Sequence, residues 1–371
     1  MKATQAILSD WFTDSSFLLG IAGSQQFYKA SEFLDYLNSF PGIRVFVYLT
    51  DEAQTYIPPR SLERLEALEI TSAGDFGTGE VSSRDVTGLI LLELDGSPDS
   101  RLRRRFARVL PKLPAVSLTS ESESQSSENP IVLNFSEGWS RIFEALARTF
   151  ARRKPWQKKK ILVTAGRTEE PIDPIRIITN RSSGKMGFAL ARQAALRGAD
   201  VRLITGPTPL TTPYGVTRID VNTADEMLEA ANEWFPETDV VFAAAAVEDL
   251  KPVRVSQEKI KKTARITVEC TVAPDVLQSL AEQKSRQFLV GFSIETENII
   301  ANSREKLHKK SLDAIVVNNP KETGAAFQYD TNKVTLITDA GTVHDYPLMS
   351  KDLLAGELLD FVLREMDGSQ D

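Results

Sequence analysis

From Lys160 onward, short β-branched apolar runs alternate with segments whose apolar residues recur every three or four positions. Residues 161–164, 201–205, 240–244, 288–292 and 314–317 read as strands, and 185–197, 223–235, 274–283 and 298–311 read as helices. Such alternation builds crossover units on a mostly parallel sheet, whose ligands lie beyond the carboxyl ends of the strands. A Rossmann-like α/β domain is therefore expected here. Two further β-like runs, 333–338 and 342–346, meet at Ala340-Gly341 as a hairpin, and an amphipathic helix over 351–364 closes the pattern.

The first 150 residues open in the same style. Residues 17–22 read as a strand, 23–37 as a helix and 45–50 as a second strand, after which the pattern becomes shorter and less regular. One more strand is expected at 89–94. A helix follows at 101–110, where Leu102, Phe106 and Leu110 form a stripe and the arginines take the solvent face. The segment TSESESQSSEN, 119–129, is polar and acidic and reads as an exposed loop. Trp139, Ile142, Phe143, Leu146 and Phe150 then fall at helical spacing, and ARRKPWQKKK places six basic residues in ten. That decapeptide marks a boundary: domain 1–150, basic linker 151–160, domain 161–371. Contact with an anionic partner is the other use of such a run.

A length of 371 residues suits two domains, and 42% hydrophobic with 26% charged residues is ordinary globular composition. No apolar run approaches a bilayer span and the N-terminus has no secretory pattern, so a cytoplasmic protein without a membrane partner is expected. The single cysteine, Cys270, excludes an internal disulfide, and with only His308 and His344 a histidine-rich metal site is excluded too. A formal charge of -7 argues against a nucleic-acid partner.

Three constellations carry candidate chemistry. In ILVTAGRTEEPIDPIRIITNRSSGKMG, 161–187, a strand runs into a proline-containing loop and then a helix start. Backbone N–H groups of Ser182, Ser183 and Gly184 there can cradle a phosphate or carboxylate, reinforced by Lys185; equally, a serine can cap the helix with no ligand. The segment is neither a Walker A loop, since Thr179 and Met186 occupy its required glycine and hydroxyl positions, nor a GxGxxG fingerprint. In VVFAAAAVEDLKPVRVSQEKIKK, 240–262, four alanines either admit a ligand to the backbone or pack against a helix. Asp249 and the basic cluster after it suit a flap over an anionic ligand. Lys306 and Lys310 share one helix face, and Gly291-Phe292 offers a close backbone approach plus a flat ring.

Taken together, these residues resemble the phosphopantothenate–cysteine ligase family of coenzyme A biosynthesis. The resemblance covers about 159–361 and rests on five ordered blocks: EPIDPIRIITNRSSGKMG, AAAVEDL with EKIKK, APDVL, VGFSIET and KLHKKSLDAIVVNN. It implies activation of phosphopantothenate by CTP to an acyl-cytidylate with release of pyrophosphate, then displacement of CMP by the cysteine amine. Joining a carboxylate to a triphosphate brings two anions together, so cations and backbone donors must neutralise the developing charge. By motif position the resemblance assigns Asp249, Lys259, Ala273, Pro274, Asp275, Val276, Phe292, Lys306 and Lys310 to the nucleotide. It assigns Asn180 and Lys259 to catalysis, Ser182, Ser183, Gly184 and Lys185 to phosphate cradling beside Asn180, and Ala245 and Ala246 to phosphopantothenate. It also implies Mg²⁺, whose ligands it does not name, and a homodimer. The family's Gly-Gly-Thr-Arg-Glu is Gly166-Arg167-Thr168-Glu169-Glu170 here, its aromatic after the aspartate is Leu250, and its Asn-Pro-Asp-Ile is Ala273-Pro274-Asp275-Val276.

The segments GIAGSQQFYKASEFLDYL and VFVYLTDEAQTYIPP resemble the start of a flavodoxin-like phosphopantothenoylcysteine decarboxylase. That reaction needs a histidine base and a cysteine acid, yet no histidine precedes His308 and no cysteine precedes Cys270. A degenerate domain is expected, without decarboxylase activity or FMN. Two other readings stand beside the ligase: a regulatory protein that binds nucleotide or phosphopantothenate without turnover, and a nicotinamide oxidoreductase on the same sheet, disfavoured by the missing fingerprint.

Overall fold

The computed structural model describes residues 16–22, 33, 44–49, 68–71, 88–93, 115–119, 131–134 and 139–150, and residues 154–368 apart from 262–265, 296–297 and 319–328. The chain divides into two units, Met1–Arg153 and Lys154–Asp371. In the first, β1 (Ser16–Ala22), β2 (Arg44–Leu49), β3 (Leu68–Thr71), β4 (Gly88–Glu93), β5 (Ala115–Thr119) and β6 (Ile131–Asn134) pair in parallel in the order β3-β2-β1-β4-β5-β6. The six parallel strands thus run 3-2-1-4-5-6, the order of a doubly wound α/β sheet. Strands β3, β5 and β6 carry no pattern legible in the sequence, since four or five residues are too short to show a period. Helix α1 (Trp139–Phe150) buries Ile142, Phe143, Leu146 and Phe150, and the Phe143 ring stacks on Phe33 at 5.8 Å. Apart from Phe33, the helices expected at 23–37 and 101–110 lie outside the described residues, as does the acidic loop after Thr119.

In the second unit, eight strands form one sheet: β7 (Lys160–Ala165), β10 (Asp200–Thr205), β11 (Val216–Asp220), β12 (Val240–Ala243), β15 (Phe288–Ile294), β16 (Ala314–Asn318), β17 (Thr331–Thr338) and β18 (Val343–Ser350). Their order is β11-β10-β7-β12-β15-β16-β17-β18, with the first six parallel and the hairpin β17-β18 antiparallel at one edge. Counted along the chain, the parallel strands run 3-2-1-4-5-6, so the order reverses between β7 and β12. That reversal opens a crevice at the strand ends. The unassigned strand here was β11, a half-exposed edge strand whose Arg218 and Asp220 break the apolar run.

Strand side chains alternate between two apolar layers. Ile161, Val163, Val240, Phe242 and Val290 face helices α2 (Lys185–Leu196) and α6 (Lys351–Asp367), whose Phe188, Leu190, Leu354 and Leu358 complete that layer. Leu162, Ile204, Val241 and Leu289 face α3 (Ala224–Trp234), α4 (Val276–Glu282) and α5 (Ile299–Lys309) through Met227, Leu280 and Leu307. Each such fully buried side chain contributes roughly 1.5–3 kcal/mol, so both faces hold the strand ends rigidly. The decapeptide expected to be a basic linker joins this core from Lys154 on: Trp156 is fully buried, and its backbone N–H donates to the Arg197 carbonyl at 3.1 Å. One indole outweighs the charges around it, because those charges stay in water while the ring does not.

Candidate active site at the strand-order reversal

The first turn after β7 is built on close backbone approach. Gly166 has φ +76°, and a Cβ there would stand 2.9 Å from the Gly206 carbonyl oxygen. Gly184, at φ +79°, would bring its Cβ within 3.3 Å of Gly166 Cα, and a Cβ on Gly187 would meet Ala165 Cβ at 2.5 Å. A tight turn, a bare helix start and a close helix–strand contact are the three glycine roles of a dinucleotide-binding turn. Here they are separated by the excursion 167–183, which is why no contiguous fingerprint is visible in the sequence.

Helix α2 is not capped by a serine. Its N-cap is Gly184, without a side-chain cap, and Ser182 Oγ accepts only the Gly184 N–H at 3.3 Å. Within the cradle of Ser182, Ser183 and Gly184 the Gly184 N–H is thus taken by Ser182 Oγ, while α2 itself starts without a side-chain cap. Lys185 turns elsewhere: its Nζ lies 2.6 Å from Asp330, whose carboxyl it holds below the usual carboxylate range.

The excursion is knitted to the loop after β12. Thr168, fully buried, donates its N–H to Ala246 O at 3.3 Å, while its Oγ1 accepts the Glu248 N–H at 2.8 Å and its carbonyl accepts Thr179 Oγ1 at 2.7 Å. Ala246 N–H donates to Gly166 O at 2.9 Å. Asn180 donates from Nδ2 to the Ala246 and Val247 carbonyls, each at 3.3 Å. Asn180, Ala245, Ala246 and the α2 start thus share the crevice between β7 and β12. Ala244 and Ala245 also pack against the two core layers, so the packing account of the alanine run holds for those two. Arg167 and Glu169, the two departures in this turn, pair with each other: Arg167 Nε and Nη2 both donate to Glu169 Oε1 at 3.2 Å. Behind them, the buried Glu170 carboxyl is pushed up by burial, although it accepts the Ala224 N–H at the start of α3.

Two small hairpins flank the crevice: β8 (Glu169–Pro171) with β9 (Ile177–Thr179), and β13 (Leu250–Pro252) with β14 (Cys270–Val272). The exposed Asp249 accepts the Ala273 N–H on its carbonyl at 2.8 Å, which joins it to the Ala273–Val276 step. Ala273 and Val276 are buried, and Asp275 caps α4 through the Gln278 N–H at 3.0 Å. Lys310 reaches Asp275 at 2.6 Å, whereas Lys306 reaches Glu295 at 2.6 Å and Ser293 Oγ at 3.2 Å. Burial alone would raise the Glu295 carboxyl; hydrogen bonds from Lys306, Ser293 and Asn302 hold it below its ordinary value. The two lysines leave one helix face for different carboxylates. Lys259 is exposed and has no partner among the described residues, and Lys262 lies outside them.

The close approach expected at Gly291 is a different contact. Gly291 is mid-strand in β15, and a Cβ there would meet Leu312 Cδ1 at 2.7 Å and Leu277 Cδ2 at 3.1 Å. Its missing side chain admits neighbouring leucines rather than a ligand. Phe292 is half-buried against the α2–α6 layer. Sequence reasoning missed Thr168, Asp173, Arg176 and Gly206, whose partners lie far along the chain; the proline-flanked acid in EPIDP was the one available signal. Among the described residues no three His, Cys, Asp or Glu side chains group as metal ligands. No helix among those residues is long and apolar enough to cross a membrane.

A parallel sheet with this strand order, and a glycine-lined turn at its reversal, define a Rossmann-type α/β protein. Residues 156–366 match the DNA/pantothenate metabolism flavoprotein C-terminal domain family, and the chain belongs to that family. It is 43% identical over 212 residues to the coenzyme A biosynthesis bifunctional protein CoaBC of Vibrio cholerae, covering 56% of this chain and 53% of that protein. It is also 43% identical over 207 residues to the CoaBC protein of Bacillus subtilis, covering 55% and 51%. The crystal structure of a CoaBC C-terminal domain superposes with a TM-score of 0.51 at 37% identity, over 58% of this chain and 100% of that one. The chain spans about half the length of the curated relatives it matches.

Proposed function

We propose that the second unit is a phosphopantothenate–cysteine ligase that uses CTP. The observation that carries this reading is the Asn180 bridge to Ala246 and Val247 beside the uncapped start of α2, which joins two separate sequence blocks in one crevice. The phosphopantothenate carboxylate attacks the CTP α-phosphorus, forming an acyl–phosphate bond as pyrophosphate leaves; the cysteine amine then attacks the acyl carbon and CMP departs. First-turn N–H groups of α2 take an anionic group, and the Lys259 ammonium offsets negative charge on the reacting phosphate. Lys306 and Lys310, held by Glu295 and Asp275, flank the nucleotide, and Asn180 keeps its Oδ1 as an acceptor for the incoming amine. Mg²⁺ bound to the phosphates would supply charge neutralisation. In this reading the enzyme works in the cytoplasm as a homodimer, and the first unit lacks decarboxylase activity and FMN because its histidine and cysteine are missing.

A second reading, a non-catalytic protein that binds nucleotide or phosphopantothenate, draws on the Arg167–Glu169 pair in the first turn. Mass spectrometry after incubation with phosphopantothenate, CTP, Mg²⁺ and cysteine separates the two. The ligase reading expects phosphopantothenoylcysteine and CMP together, with an ATP arm to read nucleotide choice. Folded protein that forms neither, beside a working control ligase, gives the second reading.

A further inference from the structure

The turn at 172–176 is held more tightly than a surface turn requires. Ile172 N–H donates to the Arg176 carbonyl at 2.8 Å, which already closes it. Within it the Asp173 side chain is 0% exposed. Its Oδ1 accepts the N–H groups of Ile175 at 2.8 Å and Arg176 at 2.9 Å. Its Oδ2 accepts the Arg176 guanidinium and, from far along the chain, the Ile260 N–H at 3.1 Å. Arg176 Nη1 also donates to the Ile260 carbonyl at 3.3 Å. One half-buried ion pair therefore grips both backbone polar groups of the residue that follows Lys259. Just upstream, the Ile172 carbonyl accepts the Ser256 N–H at 3.0 Å, and Ser256 Oγ donates to Glu258 O at 2.6 Å. Burial would raise the Asp173 carboxyl, but the N–H groups of Ile175, Ile260 and Arg176, with the guanidinium, hold it below its ordinary value. A buried carboxylate is costly unless fully bonded, and two of the clasp's bonds serve the distant segment at Ile260 rather than the turn.

We propose that Asp173 and Arg176 are positioning residues for Lys259, fixing the backbone from which its ammonium acts. The role of Lys259 rests on the ligase reading. A long flexible side chain can be aimed only if its Cα is held, and misplacement of about 1 Å at a reacting group costs on the order of 100-fold in rate.

Two measurements on the full chain test this, with D173N, R176Q and R176K compared to wild type. Limited trypsin digestion, read by mass spectrometry at the Lys259–Ile260 bond, is expected to be at least about 10-fold faster in D173N and R176Q. Single-turnover acyl-cytidylate formation without cysteine is expected to slow by about 10- to 100-fold, while KM for CTP and phosphopantothenate changes less than about threefold. R176K, which keeps the charge, should recover part of the rate; it and R176Q carry the comparison if D173N does not fold. Wild-type cleavage rates in the variants would overturn the clasp. Faster cleavage with unchanged activation would overturn the positioning role. A wild-type protein that forms no acyl-cytidylate beside a working control ligase would overturn the ligase reading, and with it the role given to Lys259.

Discussion

A methyl group on Gly206 would stand 1.7 Å from the Arg167 carbonyl oxygen, closer than any adjustment of one side chain can relieve. Backbone must move against backbone, so Gly206→Ala is expected to destabilise the second unit by about 3 kcal/mol or more, read as a fall in the urea midpoint. A shift of less than about 0.5 kcal/mol would show that the turn yields. At this scale the sequence revealed residues by chemical type and motif position: Asn180, Asp249, Lys259, Lys306 and Lys310 could all be singled out. It did not reveal Thr168, Asp173 or Gly206, because a threonine, an aspartate and a glycine are common turn residues. Their weight comes from Glu248, Ile260 and Arg167, which approach only after the chain has folded.

Helices and strands were the most legible level, since their apolar periods report burial directly. Helix α2 was expected over 185–197 and spans Lys185–Leu196, and α6 was expected from 351 and begins at Lys351. What periodicity could not convey is that Lys351, the first residue of α6, is buried and donates to the Tyr329 carbonyl. Burial, with Lys185 nearby, pushes its ammonium down to about 8 against the opposing pull of Asp330. The folded protein then gives up this proton near pH 8, whereas the unfolded chain keeps it until its ordinary value of 10.5. The unfolded state binds more protons across that window, so the Lys351 contribution makes stability rise with pH between about 8 and 10.5. Urea denaturation at pH 7.5, 9 and 10.5 should show a rise in wild type that is absent in Lys351→Met; equal slopes would refute it.

For the whole molecule, the hairpins beside the crevice expose apolar residues that the second unit does not cover: Ile175 at 67%, Val272 at 76%, and Ile177, Val253 and Val255 less so. A second copy of the chain is the proposed occupant. Light scattering is expected to give twice the chain mass for wild type and a large monomer fraction for Val272→Lys; a monomeric wild type at micromolar concentration would end the homodimer proposal. Much of the architecture followed from sequence alone. Apolar runs alternating with helical periods determine an α/β sheet, and helical crossovers between successive strands leave most of them parallel. The chain's residue types likewise determined that a cysteine–histidine pair is missing before residue 270. Only tertiary structure decided where the strand order reverses, and hence that the 161–187 and 240–262 blocks share one crevice. It alone decided that Lys306 and Lys310 part to Glu295 and Asp275, and that Asp173 holds Ile260. The physical reason is one of range: period and propensity act within a turn or a strand, while hydrogen bonds and excluded volume join residues that sequence holds eighty positions apart.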